Sequence, residues 1–201
     1  MIGRVTKSYV RNNAIMRSYN RGTTLHGVKY LRVSYNVFWD VMGHTVFLSD
    51  GAEVKNYITY NVVAGTRPSF SLLNTDQTPG SFWITNPDNT IVGNRAAGST
   101  DYGFWFNLGG STRGASFDPN IVPGEAKLGE FRNNVAHSNG DHGLYNWPGH
   151  WPKPEQAYYN DFIAYQNDKN GLFMGSLGKV IMRNITVADN GMYGIELFRA
   201  N

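Results

Sequence analysis

The chain has 201 residues, a length that suits one domain or a piece of a larger one and is ample for a hydrophobic core. Hydrophobic residues make up 41% and charged residues 16%, which excludes a disordered chain, and 23 glycines with 14% aromatics favour turns and strands over helices. Cysteine is absent, so there is no disulfide framework and no thiolate metal site; every apolar run falls short of a membrane span, and a net charge of +3 without a reading motif disfavours nucleic acid.

The charge is unevenly spread. Arg4, Lys7, Arg11, Arg17, Arg21, Lys29 and Arg32 all precede the first acidic residue, Asp40. Such a basic end attracts a polyanion, for example an acidic polysaccharide, although a solvated basic surface is the plainer reading. The opening MIGRVTKSYV holds no signal-peptide core.

One unit organises the rest. Residues 30–35 form a β-rich run, Asn36 a bend, 37–39 a second run, Gly43 closes a polar corner, and 45–48 form a third run. Three short strands and three corners make one coil of a parallel β-helix, because Gly and Asn tolerate the corner backbone. The unit recurs at Asn13, Asn36, Asn61, Asn89, Asn134, Asn160 and Asn184, with steps of 23, 25, 28, 45, 26 and 24 residues. A Gly precedes an apolar run in most copies, at Gly22, Gly43, Gly103, Gly143, Gly171 and Gly194. About seven coils with drifting spacing define an all-β solenoid with inserted loops. Its Asn column is expected to form an amide ladder. A leucine-rich solenoid lacks its signature here, and a β-sandwich would not place Asn and Gly in register.

Three stretches break the rhythm, near residues 65–80, 109–124 and 146–154, and loops of this size are functional or covering segments. In the third, Trp147 and Trp151 stand among prolines, either as a platform for a sugar ring or as a cover on a coil. Repeat character reaches both ends without a cap. The expectation is therefore a single β-helix segment over 1–201, a fragment that continues into a longer protein or packs on another chain.

Several strings are more particular than the repeat: SYVRNNAIMRSYNRGTTLHG, NVFWDVMGHTVFLSDG, SLLNTDQTPGSFWITNPDNTIVGN and LGEFRNNVAHSNGDHGL. From about Ser8 to Asn139 they resemble, in the same order, the β-helix region of the cell-surface hyaluronidase and cell-migration-inducing hyaluronan-binding protein family, to which fibrocystin-like proteins are related. The resemblance implies a right-handed parallel β-helix, an extracellular or cell-surface location, and hyaluronan binding and depolymerisation. It also implies an eight-glycine domain upstream, which this chain does not contain. Met16-Arg17 stands where the family tends to have His before the basic residue, and Ser49-Asp50-Gly51 where it tends to have Glu-Asp-Gly. These departures remove a possible acid/base and one carboxylate.

Glycoside hydrolysis needs two carboxyl groups in different protonation states. Asp40 and Asp50 are the available pair. Stacked coils place Arg17 beside Asp40 and His26 near Asp50, with Arg21 and His44 flanking the corner. On the functional reading Arg17 and Arg21 bind a uronate carboxylate, Asp50 or Asp40 is acid/base, and His26 or His44 moves a proton. On the structural reading Arg17 and Asp40 are an inter-rung ion pair and Asp50 is a turn residue. His137, Asp141 and His142 invite a metal, but no ligand-spacing motif accompanies them, so no metal or cofactor is expected; calcium through Asp141 lacks a loop signature. Asn184-Ile-Thr186 fits the N-glycosylation pattern, yet it falls on the Asn column, where a laddered amide is not free to carry a glycan. Three activities remain open: a hyaluronan-degrading glycosidase, a non-catalytic carbohydrate-binding or scaffold module, and, more distantly, a polysaccharide lyase or epimerase. Fold alone does not choose among them.

Overall fold

The computed structural model describes residues 8–71 and 74–200. Strands of three to six residues pair only with their counterparts one coil away, giving three parallel sheets of seven strands each. The coils span residues 9–25, 32–48, 57–84, 90–106, 130–146, 157–175 and 180–198. We number the sheets by their first strands: sheet 1 begins with Tyr9–Arg11, sheet 2 with Ala14–Met16 and sheet 3 with Thr23–Leu25. Alternation within each short strand turns one or two side chains inward. Sheet 1 contributes Val33, Ile58, Ile91, Phe131 and Tyr159, and sheet 3 contributes Leu48, Phe82, Ile84, Phe104, Phe106, Leu144, Leu172 and Met174, all buried. Sheet 2 supplies Phe38 and Val63 and then narrows to Ala96, Ala136 and Ala164. Those alanines share the core with the clustered rings of Phe104, Phe131 and Phe162, so small side chains and large ones fill it together.

The amide ladder forms between sheets 1 and 2. The Nδ2 of Asn13, Asn36, Asn61 and Asn94 each donates to Oδ1 of the next coil's Asn at 3.0–3.1 Å, ending on Asn134. Asn94, not Asn89, fills the fourth place. Asn89 caps a neighbouring corner, where its Oδ1 accepts from the Asn56 N–H at 2.9 Å. Phe162 and Ile185 occupy the sixth and seventh places, so Asn160 and Asn184 lie off the ladder. A second ladder, Asn139, Asn167 and Asn190, turns the chain into sheet 3.

The glycine column is also partly corrected. Gly103, Gly143 and Gly171 stack directly, and a Cβ on any of them would sit 2.6 Å from the next coil's carbonyl oxygen. Gly43 is two residues off this column, at φ 73° on the corner itself. Its place in the column goes to Thr45, whose hydroxyl pairs with Thr66 at 2.9 Å. The first insertion starts at Pro68, because residues 65–67 belong to the strand Val62–Arg67. It contains the 3-10 turn Asn74–Gln77, and the second insertion contains the turns Gly114–Ser116 and Pro123–Glu125. Among the described residues no helix is long and apolar enough to cross a membrane.

Candidate functional site

The register brings some of the expected residues together and separates others. Arg17 and Asp40 are backbone neighbours at one corner, both left-handed at φ 55° and 56°. Their side chains nevertheless part. Arg17 stacks over Trp39 at 5.2 Å, while Asp40 pairs at 2.5 Å with Arg67 of the third coil. The expected Arg17–Asp40 ion pair is therefore replaced by an Asp40–Arg67 pair.

Arg21 and His44 do share a corner, but not as ligand-binding groups. The first insertion lowers Asp76 onto them: Arg21 Nη2 donates to Asp76 Oδ2 at 2.8 Å, and the His44 N–H donates to Oδ1 at 3.2 Å. His44 is fully buried against Trp83 at 4.0 Å, and its Nδ1 accepts from the Gly80 N–H at 3.0 Å. That bond places the ring proton on Nε2, 3.8 Å from Asp76 Oδ1. Burial, opposed by Asp76 and reinforced by Arg21, lowers the His44 pKa from 6.5 to about 3. The Asp76 carboxyl is pushed up by burial but held below its usual range by Arg21 and His44. A histidine so held stays neutral and out of solvent, which removes His44 as a proton carrier and leaves Arg21 bound to Asp76. Sequence reading missed Asp76 because it arrives from a loop outside the repeat.

The far edge of sheet 3 carries the other half. His26 Nδ1 lies 3.8 Å from Asp50 Oδ1, with His26 largely exposed and Asp50 mostly covered. Beneath them the fully buried Glu53 accepts from the N–H groups of Gly27, Asp50 and Gly51 at 2.7, 3.0 and 2.8 Å. Glu53 also went unread, although Gly27 and Gly51, both at positive φ, signal a corner that turns its amides toward an anion. Asp40 lies before the strand Val46–Leu48 and pairs with Arg67, whereas Asp50 follows that strand and faces His26, so the two carboxylates take different partners at opposite ends of it. Glycosidase carboxyl pairs need about 5 to 9.5 Å. The expected Asp40/Asp50 pair is therefore not brought together.

Trp147 and Trp151 each lie over a glycine backbone: a Cβ on Gly175 would meet the Trp147 ring at 2.6 Å, and one on Gly178 the Trp151 ring at 2.3 Å. Both indoles remain partly exposed. His137 stacks on Tyr165 on sheet 2, whereas His142 faces Asp141 at 3.0 Å and Lys169 bonds Asp141 at 2.6 Å. The three residues therefore do not converge. Among the described residues no three His, Asp or Glu side chains are grouped to hold a metal ion.

A different site emerges on the outer face of sheet 1. A cleft of about 580 Å³ is lined by Ser8, Tyr9, Arg11, Arg32, Ser34, Tyr35, Tyr57, Thr59 and Tyr60, with no carboxylate in the lining. Its geometry follows from register. Tyr9, Arg32 and Tyr57 stack as one outward column, and Tyr35 and Tyr60 stack at 5.1 Å on the adjoining corner. Arg11 lies over Tyr35 at 5.1 Å and Arg32 over Tyr57 at 5.0 Å. Among the described residues neither guanidinium is in an ion pair. Its legible signal was the tyrosine or arginine repeating at coil spacing in YVR, RVSY and YITY.

Fold and faces define the class: a parallel β-helix protein whose corners carry amide ladders and whose flanks present ordered aromatic and basic columns. The chain belongs to the CEMIP beta-helix family, whose profile matches residues 1–144. It is 38% identical to mouse Fibrocystin-L over 96% of its length. It is 28% identical to human cell surface hyaluronidase CEMIP2 over 92% of its length, and 33% identical to zebrafish cell surface hyaluronidase over 69%. The chain spans only 5%, 17% and 12% of those three proteins.

Proposed function

We propose that this chain is the polysaccharide-binding β-helix of a cell-surface protein and that it holds an acidic chain of the hyaluronan class in the Arg11/Arg32 cleft. One observation carries this reading: two guanidiniums without carboxylate partners among the described residues, each laid over a tyrosine ring in one concave surface. Guanidinium forks bind uronate carboxylates in two-point fashion, and tyrosines offer flat, amphipathic area to sugar rings. The names of the hyaluronidase relatives support both the ligand class and the location. Titration of hyaluronan oligosaccharides by calorimetry tests it. The Arg11→Ala/Arg32→Ala protein is expected to bind at least tenfold more weakly, from the loss of charge-assisted hydrogen bonds worth about 1.5–3 kcal/mol each. Unchanged affinity would remove the cleft from the function.

Depolymerisation is the second reading, favoured by the His26–Asp50 pair, in which the imidazole is exposed and the carboxylate is mostly covered. It is tested by sizing hyaluronan after incubation with a longer, active protein that carries this β-helix. On that reading Asp50→Asn slows cleavage at least tenfold while retention of the polymer is kept, and full activity in that variant would exclude Asp50. An unsaturated product absorbing in the ultraviolet would instead indicate a lyase.

A further inference from the structure

The sequence holds one Asn-X-Ser/Thr triplet free of proline, Asn184-Ile185-Thr186. A place on the amide ladder would bar it from modification, because both faces of a laddered amide are taken up by neighbouring coils. The register removes that obstacle. Thr186 aligns with Ile163, which aligns with Val135, so the column below Asn134 passes through Phe162 and Ile185. Asn184 sits one residue earlier, on the left-handed corner at φ 52°, with its side chain exposed. Its Nδ2 donates to Asp161 Oδ1 at 3.0 Å. Thr186 opens the outward face of the strand Thr186–Ala188 and is also exposed. Both residues line an open hollow of about 500 Å³ along the same corner.

We propose that Asn184 carries an N-linked glycan. The donor is an oligosaccharide on a polyprenyl diphosphate: the anomeric C–O bond to phosphate breaks, a C–N bond to Asn184 Nδ2 forms, the amide loses one proton, and the lipid diphosphate leaves. The modified amide keeps one N–H, so the bond to Asp161 survives and the corner is undisturbed. Proteins bound for the cell surface meet this donor on the way, and the two hyaluronidase relatives carry that location in their names. The proposal does not depend on the Arg11/Arg32 cleft, which lies on the first three coils.

Expression of the full chain through a eukaryotic secretory pathway tests it. The secreted protein should migrate as a glycosylated band that a glycan-releasing amidase collapses, with peptide mass showing Asn converted to Asp at 184 because the amide C–N bond is hydrolysed. Thr186→Ala should abolish the shift with the melting temperature of the released protein kept, and Thr186→Ser should retain it. An unmodified Asn184 in translocated, protease-protected chain overturns the proposal. So does a glycan confined to retained, misfolded chain, since the corner placement would then be wrong.

Discussion

Two buried histidines set how this fold responds to acid. His44 and His150 are fully buried, with burial lowering their pKa values from 6.5 to about 3 and about 4. His150 is fixed between Tyr159 Oη at 3.1 Å and the Ala126 carbonyl at 2.9 Å. Because the folded pKa lies below the unfolded one, the stabilisation is complete above pH 6.5 and is lost as pH falls, when the unfolded chain takes up protons that the folded chain refuses. At pH 5, about 1.5 below the ordinary imidazole pKa of 6.5, protonation of the unfolded chain costs the fold about 2 kcal/mol for each histidine and about 4 for the pair. That is a large part of the about 5–15 kcal/mol typical of a folded domain. Urea unfolding at pH 7 and pH 5 should show this loss, and His44→Leu should remove about 2 kcal/mol of it whatever it does to stability at pH 7. A direct check is the imidazole 15N spectrum. A folded-state His44 signal that titrates near pH 6.5, or a His44→Leu protein with the full acid slope, would refute the reasoning.

The other predictions concern the ladders and the cleft. Asn61→Ala strips acceptors from the Asn36 N–H and Nδ2 and a donor from the Val33 carbonyl, all buried, and should cost about 3 kcal/mol in chemical unfolding, while Asn184→Ala should cost less than about 0.5. Gly143→Ala puts a methyl 2.6 Å from the Gly171 carbonyl oxygen, a backbone atom that cannot step aside, and should lower stability by about 2 kcal/mol or more. Binding of hyaluronan oligosaccharides should weaken steadily as salt rises from low to physiological strength, and the Arg32→Ala protein should show a shallower salt dependence.

The coil was readable because strand and corner chemistry recur together, and seven stacked strands per sheet follow from that recurrence. Asn misled the reading where it serves more than one corner. Asn89 caps the entrance to sheet 1 and Asn184 occupies a left-handed turn, and neither role differs from the ladder role in sequence spacing. His26 near Asp50 followed from counting one coil forward, and it holds. Arg17 beside Asp40 followed from the same count and fails at the side chains, because two residues at positive φ on one corner splay toward different partners. Asp76 was unreadable for a separate reason. It reaches His44 from an insertion whose path has no repeat to constrain it.

The left-handed corners have a consequence for how such a protein diversifies. Residues 17, 40, 138, 166 and 189 repeat the same positive φ with side chains as different as Arg, Asp, Ser and Gln, and each points away from the packed interior. Each such non-glycine residue carries a backbone strain of about 1–2 kcal/mol, less for Asn and Asp, whose short polar side chains bond locally. Side-chain identity on these edges is thus only loosely tied to the packing of the interior. A row of such positions can be rewritten letter by letter, so that one scaffold displays a new recognition script while its interior stays unaltered.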